Sequence, residues 1–322
     1  MCALTVSLIV HEDYSHITPA LQSFYATTKT PSTVYLTINT GEDTRIAALQ
    51  TQFPDIRVRI NNQPRSFAAN HNAILQIAET EFVALLNDDI VLHDHALDTL
   101  VDYLQTHTEV GLVGPALENP DGRPQVSAYS DPSLIRTLYR LSGFAALTHQ
   151  QSKLRRWLKQ IGLLRLFNIE SLKENAGTRP VPVIKGVAMV ARRSAYQQAG
   201  VMDEVTQAYG EEYGWHLRLR RGGWKIVLVE EAKLTHYGLG QARLALRGWV
   251  LIEDRKAILA YYVLYRPVWQ AALVRAVIVL SHAFYTLGWL PFDRSRAQTH
   301  WKTVRMGLGF NVKRDQIADK VP

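Results

Sequence analysis

The strongest constraint on the fold is a regular alternation of short apolar runs with helical patterns through the first half of the chain. The runs that have the length and the β-branched content of strands are Leu4–Val10, Ser32–Ile38, Asp55–Ile60 and Glu81–Leu86. The segments between them in which apolar residues recur at helical spacing are Ile17–Tyr25, Thr44–Phe53 and Phe67–Glu79. Strands that alternate with helices of this length predict βαβ units and a mainly parallel α/β sheet.

Ligands of a parallel sheet bind beyond the carboxyl ends of its strands. We therefore expect a site in the segments that follow the four predicted strands. These segments are His11–Asp13, Asn39–Asp43, Asn61–Phe67 and Asn87–Ile90.

The last part of the chain has a different composition. Two more strands are predicted at Trp224–Val229 and Lys233–Tyr237, and apolar and aromatic residues dominate after them. We therefore predict an α/β domain at residues 1–240 and a helical, membrane-associating region at residues 241–322. Charged residues interrupt the apolar segment Ile258–Phe292, so no stretch of 18 residues in it is both apolar and uncharged. Whether this segment inserts into a membrane or lies on it stays open.

Charge and cysteine content narrow the partners and the compartment. The chain has 36 Lys and Arg against 29 Asp and Glu, a formal net charge of +7. Such an excess suits a partner with phosphates, which could be a nucleotide, an anionic membrane surface or a nucleic acid. Because no nucleic-acid recognition motif accompanies the charge, we expect no nucleic-acid partner. Cys2 is the sole cysteine, and Met1–Val10 does not resemble a signal peptide, so we expect a reducing, cytoplasmic location.

An acidic motif directly follows the fourth predicted strand. Asn87, Asp88 and Asp89 come after Glu81–Leu86, where side chains point into the ligand crevice of a parallel sheet. A carboxylate pair there can hold Mg2+ or Mn2+, which bridges the phosphates of a nucleotide and neutralises a departing diphosphate. The alternative is that Asp88 and Asp89 form a turn or cap the next helix, because Asp is common in both places.

Two further groups of residues suit acid–base or metal chemistry. Glu211 and Glu212 are adjacent carboxylates, and a carboxylate can serve as the general base that takes a proton from an attacking hydroxyl. The alternative is the first turn of a helix, where acidic residues complement the helix dipole. His236 follows the last predicted strand, and a neutral imidazole is a suitable third protein ligand for a divalent metal. An isolated histidine is more often structural.

The segment Lys153–Phe167 has the pattern of a basic amphipathic helix. The apolar residues that share one side of that helix are Leu154, Trp157, Leu158, Ile161 and Leu164. Its basic residues fall mostly elsewhere around the helix. Helices of this type lie in membrane interfaces, although an ordinary helix packed on a core has the same pattern. With the C-terminal region, this segment predicts peripheral contact with the inner face of the cell membrane.

Taken in order, these motifs resemble family 2 glycosyltransferases of the GT-A fold, and in particular their rhamnosyltransferase-like branch. The resemblance covers roughly residues 4–240. The matching pieces are Ser66-Phe67-Ala68 with Asn72, Leu86-Asn87-Asp88-Asp89, Gly114-Pro115 with Asp121-Gly122, Lys185-Gly186-Val187 with Arg192-Arg193, Glu211-Glu212 with Arg218 and Gly223-Trp224, and His236. Their order and spacing are more specific than any single motif.

The resemblance implies a Rossmann-like GT-A sheet flanked by helices, and it implies roles for single residues. Asp89 would coordinate the metal together with His236. Glu212 would accept the proton of the acceptor hydroxyl, with Glu211 orienting the site. The residues expected to bind the donor are His11, Asp13, Asn39, Asp43, Phe67, Asn72, Asn87, Asp88 and Gly186. Gly186 has no side chain and would let a sugar pack against the backbone.

Four positions depart from the family pattern. Glu212 stands where the family usually has Asp, and its extra methylene could move the base by about an ångström. Gly214 stands where that motif has a second Asp. Ser66 replaces a glycine, and Ile38 or Asn39 falls where an acidic residue is usual after the second strand. The departures concern the contacts with the acceptor and the recognition of the nucleotide base of the donor.

The sequence therefore predicts an inverting glycosyltransferase. It would move rhamnose or a similar hexose from a dTDP- or UDP-linked donor to a saccharide or lipid-linked acceptor in cell-surface polysaccharide synthesis, with Mn2+ or Mg2+ as cofactor. The Gly214 departure leaves open a non-catalytic saccharide-binding or scaffold protein of the same fold. A nicotinamide dehydrogenase would need a Gly-rich fingerprint where His11-Glu12-Asp13 stands. A sugar nucleotidyltransferase would need a Gly-rich loop with Arg and Lys, which is missing.

Overall fold

The chain forms two compact units. The residues that the computed structural model describes are 4–10, 14–39, 45–143, 177–238 and 246–312. The first unit comprises Met1–Ser130, Glu174–Gly240 and Asp319–Pro322, and the second comprises Asp131–Lys173 and Gln241–Ala318. Asp131–Lys173 lies inside the predicted α/β domain, yet it groups with the C-terminal region.

The described part of the first unit contains a ten-stranded sheet and a two-stranded sheet. The strands are β1 (Leu4–Val10), β2 (Ser32–Ile38), β3 (Arg57–Ile60), β4 (Phe82–Asn87), β5 (Ile90–Leu92), β6 (Val110–Glu118), β7 (Pro124–Gln125), β8 (Ala128–Tyr129), β9 (Arg179–Pro180), β10 (Val183–Ile184), β11 (Ala188–Arg192) and β12 (Lys225–His236). The small sheet pairs β8 with β10.

The large sheet is mixed and mostly parallel, as predicted. Its order is β3-β2-β1-β4-β11-β6-β12-β5, with β7 paired to β6 and β9 paired to β12. β1, β2, β3 and β4 run parallel to one another, whereas β11 runs antiparallel between β4 and β6. All seven residues of β1 are buried, because a central parallel strand is covered on both faces.

Helices connect the strands of the first unit and build most of the described part of the second. They are α1 (Ile17–Thr27), α2 (Arg45–Gln52), α3 (Phe67–Ile77), α4 (Ala96–Thr106), α5 (Leu134–Leu141), α6 (Arg193–Ala199), α7 (Glu211–Arg221), α8 (Arg247–Tyr265), α9 (Val268–Trp289) and α10 (Arg294–Gly309). Ser66 caps α3, because its hydroxyl accepts a hydrogen bond from the amide of Ala69 at 3.1 Å. The serine at this family glycine position therefore stabilises the start of the helix.

The prediction of two separate strands near the end of the first unit is wrong. In place of Trp224–Val229 and Lys233–Tyr237, the structure has the single strand β12. Its register against β6 shifts between Val229 and Lys233, which marks a bulge. Two adjacent glutamates, Glu230 and Glu231, interrupt the apolar pattern at this point, so the sequence predicts a break where the strand only bulges.

The second unit packs α5 with the C-terminal helices. Tyr262 of α8 donates its hydroxyl hydrogen to the carbonyl of Pro132 at 3.1 Å, and Arg140 of α5 pairs with Asp254 of α8 at 2.9 Å. Within the described residues, α9 is the helix that is long and apolar enough to cross a membrane, judged by length and composition. Arg275 lies within α9, and its guanidinium donates to the carbonyls of Gly307 and Phe310 at 2.6 and 2.7 Å. The charge that interrupts the apolar pattern is therefore hydrogen-bonded inside the helical unit.

Candidate active site

Asp89 and His236 meet where two paired strands bring them together. β5 and β12 run antiparallel with Ile90 opposite His236, and the amide of Tyr237 donates to the carbonyl of Asp89 at 2.9 Å. In this register Asp89 Oδ2 lies 3.3 Å from His236 Nε2. The structure thus places the two expected metal ligands side by side.

The carboxamide of Gln125 determines which nitrogen of His236 carries a hydrogen. Its Nε2 lies 3.3 Å from the carbonyl oxygen of His236 and 3.0 Å from Asn119 Oδ1, and both of these oxygens are acceptors. The amide of Asn119 is oriented in turn, because its Nδ2 donates to the carbonyl of Arg123 at 3.1 Å. The Gln125 oxygen therefore points toward Lys185 Nζ and His236 Nδ1, each at 2.6 Å. Since this oxygen can only accept, Nδ1 of His236 donates.

This tautomer turns a lone pair of His236 toward a carboxylate. A neutral ring with its hydrogen on Nδ1 has a lone pair at Nε2, so two electron-pair donors face each other across 3.3 Å. A positive charge between them resolves the repulsion, either as a second proton on the ring or as a metal cation. Asp89 Oδ1 is also buried and finds no hydrogen-bond partner among the described residues. A carboxylate and an imidazole that face one point fit a divalent cation.

The charge state of Asp89 suits cation binding. Burial raises the pKa of Asp89, but the hydrogen bond that a protonated His236 ring donates and the positive charges of His236 and His16 outweigh it, so the net pKa of Asp89 is lowered. Asp89 is therefore ionised at neutral pH. No group of three or more His, Cys, Asp or Glu side chains that could hold a metal occurs in the described ranges. A cation at Asp89 and His236 would need its remaining ligands from water or phosphate oxygens, which is how Mg2+ is usually bound.

Glu211 and Glu212 begin helix α7. Gly210 precedes them with a φ of 81°, a left-handed conformation that favours glycine, and both acids lie in the first turn. The helix-start interpretation is therefore correct for their position, but both side chains are also buried, with 8% exposed. Burial raises the pKa of Glu212 to about 6, although hydrogen bonds from the backbone amides of Glu212 and Gly210 and the charge of Lys185 oppose the rise. A carboxylate with this pKa is suited to accept a proton.

Gly186 lies beside the Glu212 carboxyl group. A Cβ added to Gly186 would come within 3.8 Å of the Phe67 ring and 4.0 Å of the Glu212 carboxyl carbon. Phe67 is fixed at the start of α3, where its amide donates to the carbonyl of Gln207 at 2.9 Å. The missing side chain of Gly186 therefore leaves open space beside the candidate base.

Asn39 is the centre of a buried amide network. Its Oδ1 accepts hydrogen bonds from Asn61 Nδ2, Asn70 Nδ2 and the backbone amide of Arg65, all at 2.9 Å. Its Nδ2 donates to the carbonyl of Arg65 at 3.0 Å. The network joins the ends of β2 and β3 to helix α3, so it fixes one wall of the crevice at the carboxyl edge of the sheet.

The remaining expected donor-binding residues are placed in different ways. Asn72 is buried, and its amide exchanges hydrogen bonds of 3.0 and 2.9 Å with the backbone of Met202. Asn87 and Asp88 are half-buried at the end of β4. His11, Asp13 and Asp43 lie outside the described residues. The donor-binding roles of all these residues stay predictions.

Sequence reasoning does not assign roles to three residues around this site. His16 stacks on Tyr237 with ring centroids 4.7 Å apart, and its charge lowers the pKa of Asp89. Gln125 orients His236, and Lys185 binds Gln125. The sequence marks the position of Lys185, because it stands next to Gly186 in a motif that matches the family. No sequence pattern around Gln125 or His16 marks a site.

Comparisons with known proteins agree with this fold. The sequence model described as glycosyltransferase like family 2 matches residues 12–247. An N-acetylglucosaminyl-diphospho-decaprenol L-rhamnosyltransferase of Mycobacterium tuberculosis is 26% identical over 245 residues, which cover 73% of this chain and 76% of that protein. The match is the same for its strains CDC 1551 and H37Rv.

A solved structure shows the same fold at low identity. The crystal structure of GalNAc-T7 with UDP, GalNAc and Mn2+ has a TM-score of 0.54 and 14% identity, over 73% of this chain and 43% of that chain. The fold is thus GT-A-like, and the class that fold and site define is a sugar transferase. The chain belongs to glycosyltransferase family 2, whose model spans most of its length.

We expect Asn39→Ala to destabilise the first unit in the absence of any ligand. The change removes one acceptor from each of three donors, the buried amides of Asn61 and Asn70 and the backbone amide of Arg65, and urea unfolding should show a loss of at least about 2 kcal/mol. Asn62→Ala is the matched control, because Asn62 is exposed and its loss should change the free energy of unfolding by less than about 0.5 kcal/mol. Equal unfolding midpoints for the two variants would contradict the structural role of the network.

Proposed function

We propose that this glycosyltransferase moves rhamnose or a similar hexose from a dTDP- or UDP-linked donor to a saccharide or lipid-linked acceptor in cell-surface polysaccharide synthesis, with inversion at the anomeric carbon. The observation that carries the proposal is the Asp89–His236 pair, whose two electron-pair donors face each other across 3.3 Å. The mycobacterial relative, an L-rhamnosyltransferase of a decaprenol-linked sugar, supports the choice of sugar and of a lipid-linked acceptor. The Mn2+ and UDP of the GalNAc-T7 structure support a divalent cation and a nucleotide donor.

The proposed reaction is a single displacement. The acceptor oxygen bonds to the anomeric carbon while the bond from that carbon to the diphosphate oxygen breaks, and the electron pair leaves with the diphosphate. Glu212 accepts the proton of the acceptor hydroxyl, and Glu211 orients the site. Asp89 and His236 would hold a divalent cation, which would supply positive charge against the departing diphosphate. Attack from the face opposite the leaving group inverts the configuration, and no protein nucleophile is needed.

A second candidate function is saccharide binding without transfer. Gly214 favours it, because this buried position of α7 has no carboxylate where the family has its second Asp. The two candidate functions differ in whether the products contain a free nucleoside diphosphate. Release of nucleoside diphosphate by the wild type therefore distinguishes transfer from binding alone.

We expect transfer to require Mn2+ or Mg2+ and to be abolished by Asp89→Ala. The variant lacks one of the two protein ligands, so the charge of the leaving diphosphate is no longer neutralised and the rate should fall at least about a hundredfold. The transfer rate is measured as the release of nucleoside diphosphate. Asp94→Ala is the control, because Asp94 is exposed on the loop before α4. Full activity in excess EDTA would sink the metal hypothesis.

We expect Glu212→Gln to lower the transfer rate by about a hundred- to ten-thousandfold while donor affinity stays nearly unchanged, because the variant keeps the size of the side chain but cannot take a proton. Calorimetry with the donor and a transfer assay give the two values. Since the pKa of Glu212 is about 6, the wild-type rate should rise with pH through about 6 as the carboxyl group loses its proton.

Glu212→Asp should keep measurable activity, and Glu109→Gln, at an exposed ion pair, should behave as wild type. Transfer by Glu212→Gln within about threefold of wild type, far less than the loss of a base costs, would move the role of base to Glu211.

We also propose a peripheral contact of the second unit with the inner face of the cell membrane. The buried residues of α9 are Ala271, Val274, Ile278 and His282. The opposite side of the same helix is exposed. Its residues are Trp269, Leu273, Ala276, Leu280, Phe284 and Leu287. The exposed basic residues of α10 are Arg294, Arg296, Lys302 and Arg305. An apolar stripe near basic side chains suits a membrane with anionic lipids. The predicted amphipathic helix at Lys153–Phe167 lies outside the described residues.

Flotation with liposomes tests the membrane contact. At low salt the wild type should float with vesicles that contain phosphatidylglycerol, and Phe284→Glu should lose most of this binding because it puts a charge into the apolar stripe. Ile77→Glu is the matched control, since Ile77 is also apolar and exposed but belongs to the first unit. Equal recovery of the wild type in the soluble fraction with and without anionic lipid would contradict the proposal.

A further inference from the structure

Lys185 lies between the two groups of residues that the proposed reaction uses. Its backbone is fixed, because its amide donates to the carbonyl of Ser127 at 2.9 Å and its carbonyl accepts from the amide of Val187 at 2.7 Å. Its neighbour Gly186 lies beside the carboxyl group of Glu212. The lysine is thus anchored at the position from which its side chain reaches Gln125, which in turn binds the ring of His236.

On one side, Lys185 acts on His236 through Gln125. The ammonium group donates to Gln125 Oε1 at 2.6 Å, and the same oxygen accepts from His236 Nδ1 at 2.6 Å. An ammonium group can only donate, so a rotated amide that presented its NH2 group to Lys185 would bring two donors together. Lys185 therefore helps to fix the amide orientation that presents Nε2 of His236 to Asp89.

On the other side, Lys185 acts on Glu212. Its positive charge opposes the effect of burial on the Glu212 pKa. The groups at that carboxyl are uncharged Phe67 and Gly186, the preceding Glu211 of the same helix turn, and the cation Lys185. A second carboxylate disfavours ionisation of Glu212, whereas a cation favours it.

We propose that Lys185 is a positioning residue that links the two halves of the site, holding His236 oriented through Gln125 and bringing a positive charge to the Glu212 carboxylate. This inference rests on the proposed function for its meaning in catalysis. It concerns ring orientation and charge, however, and both can be measured without transfer.

Two readouts test the link in Lys185→Met, which keeps most of the length of the side chain but removes its charge and its hydrogen bonds. Mn2+ binding, followed by the EPR signal of free Mn2+, should weaken by about tenfold, since loss of a residue that orients a metal ligand has an effect of this order. The pKa of Glu212, followed by carbon-13 NMR of glutamate labelled at the carboxyl carbon and assigned with Glu212→Gln, should rise by about half a unit or more.

Three further variants separate the contributions. Gln125→Leu should weaken Mn2+ binding and leave the pKa of Glu212 in place, because Lys185 keeps its charge. Lys185→Arg should keep the Glu212 pKa near its wild-type value, which guards against a general folding defect in Lys185→Met. Lys225→Met removes an exposed lysine at the start of β12, at the opposite end of the strand from His236. This variant should match the wild type in both readouts.

If Lys185→Met leaves either the Mn2+ affinity or the Glu212 pKa at the wild-type value, the linking role is overturned. A wild-type protein that transfers no sugar would instead overturn the proposed function, while these two readouts would still decide the role of Lys185.

Discussion

Two electron-pair donors, the Asp89 carboxylate and Nε2 of His236, are held face to face across 3.3 Å, and the arrangement of the first unit depends on keeping them there. The antiparallel pairing of β5 with β12 brings the two residues together, and the bulge in β12 carries the strand as far as His236. The amide of Gln125 then fixes the ring. Without a positive charge between them, whether a second ring proton or a cation, the two groups would repel each other.

At the candidate base, Glu212, burial and the start of a helix have opposite effects on the charged form. Glu212 is buried, which disfavours its charged form, and the start of α7 offsets part of that cost because backbone amides at a helix N-terminus favour negative charge. The balance leaves Glu212 with a pKa of about 6, so that it is ionised at neutral pH and still able to take a proton. Gly186 leaves room next to the carboxyl group, which a larger side chain would fill.

Local patterns explain why much of the fold was predictable. Leu4–Val10 and Ser32–Ile38 are strands with the predicted bounds, because apolar β-branched runs are visible in the sequence itself. The order of motifs also pointed to Asp89, Glu212 and His236. Gln125 could not be found in this way: it lies in a two-residue strand, and its partners are 60 and 111 positions away in the chain. Likewise, the bulge in β12 depends on pairing with β6, which no local pattern reports.

The configuration of the product tests single displacement at this site most directly. Wild-type protein with Mn2+ would be supplied with dTDP- and UDP-linked hexoses of known anomeric configuration and a synthetic lipid-linked saccharide acceptor. Proton NMR of the first product formed, before any spontaneous anomerisation, reports the new linkage. A single displacement with Glu212 as base predicts a linkage of the configuration opposite to that of the donor. A product that retains the donor configuration would contradict it, because retention requires a second displacement or a different mechanism.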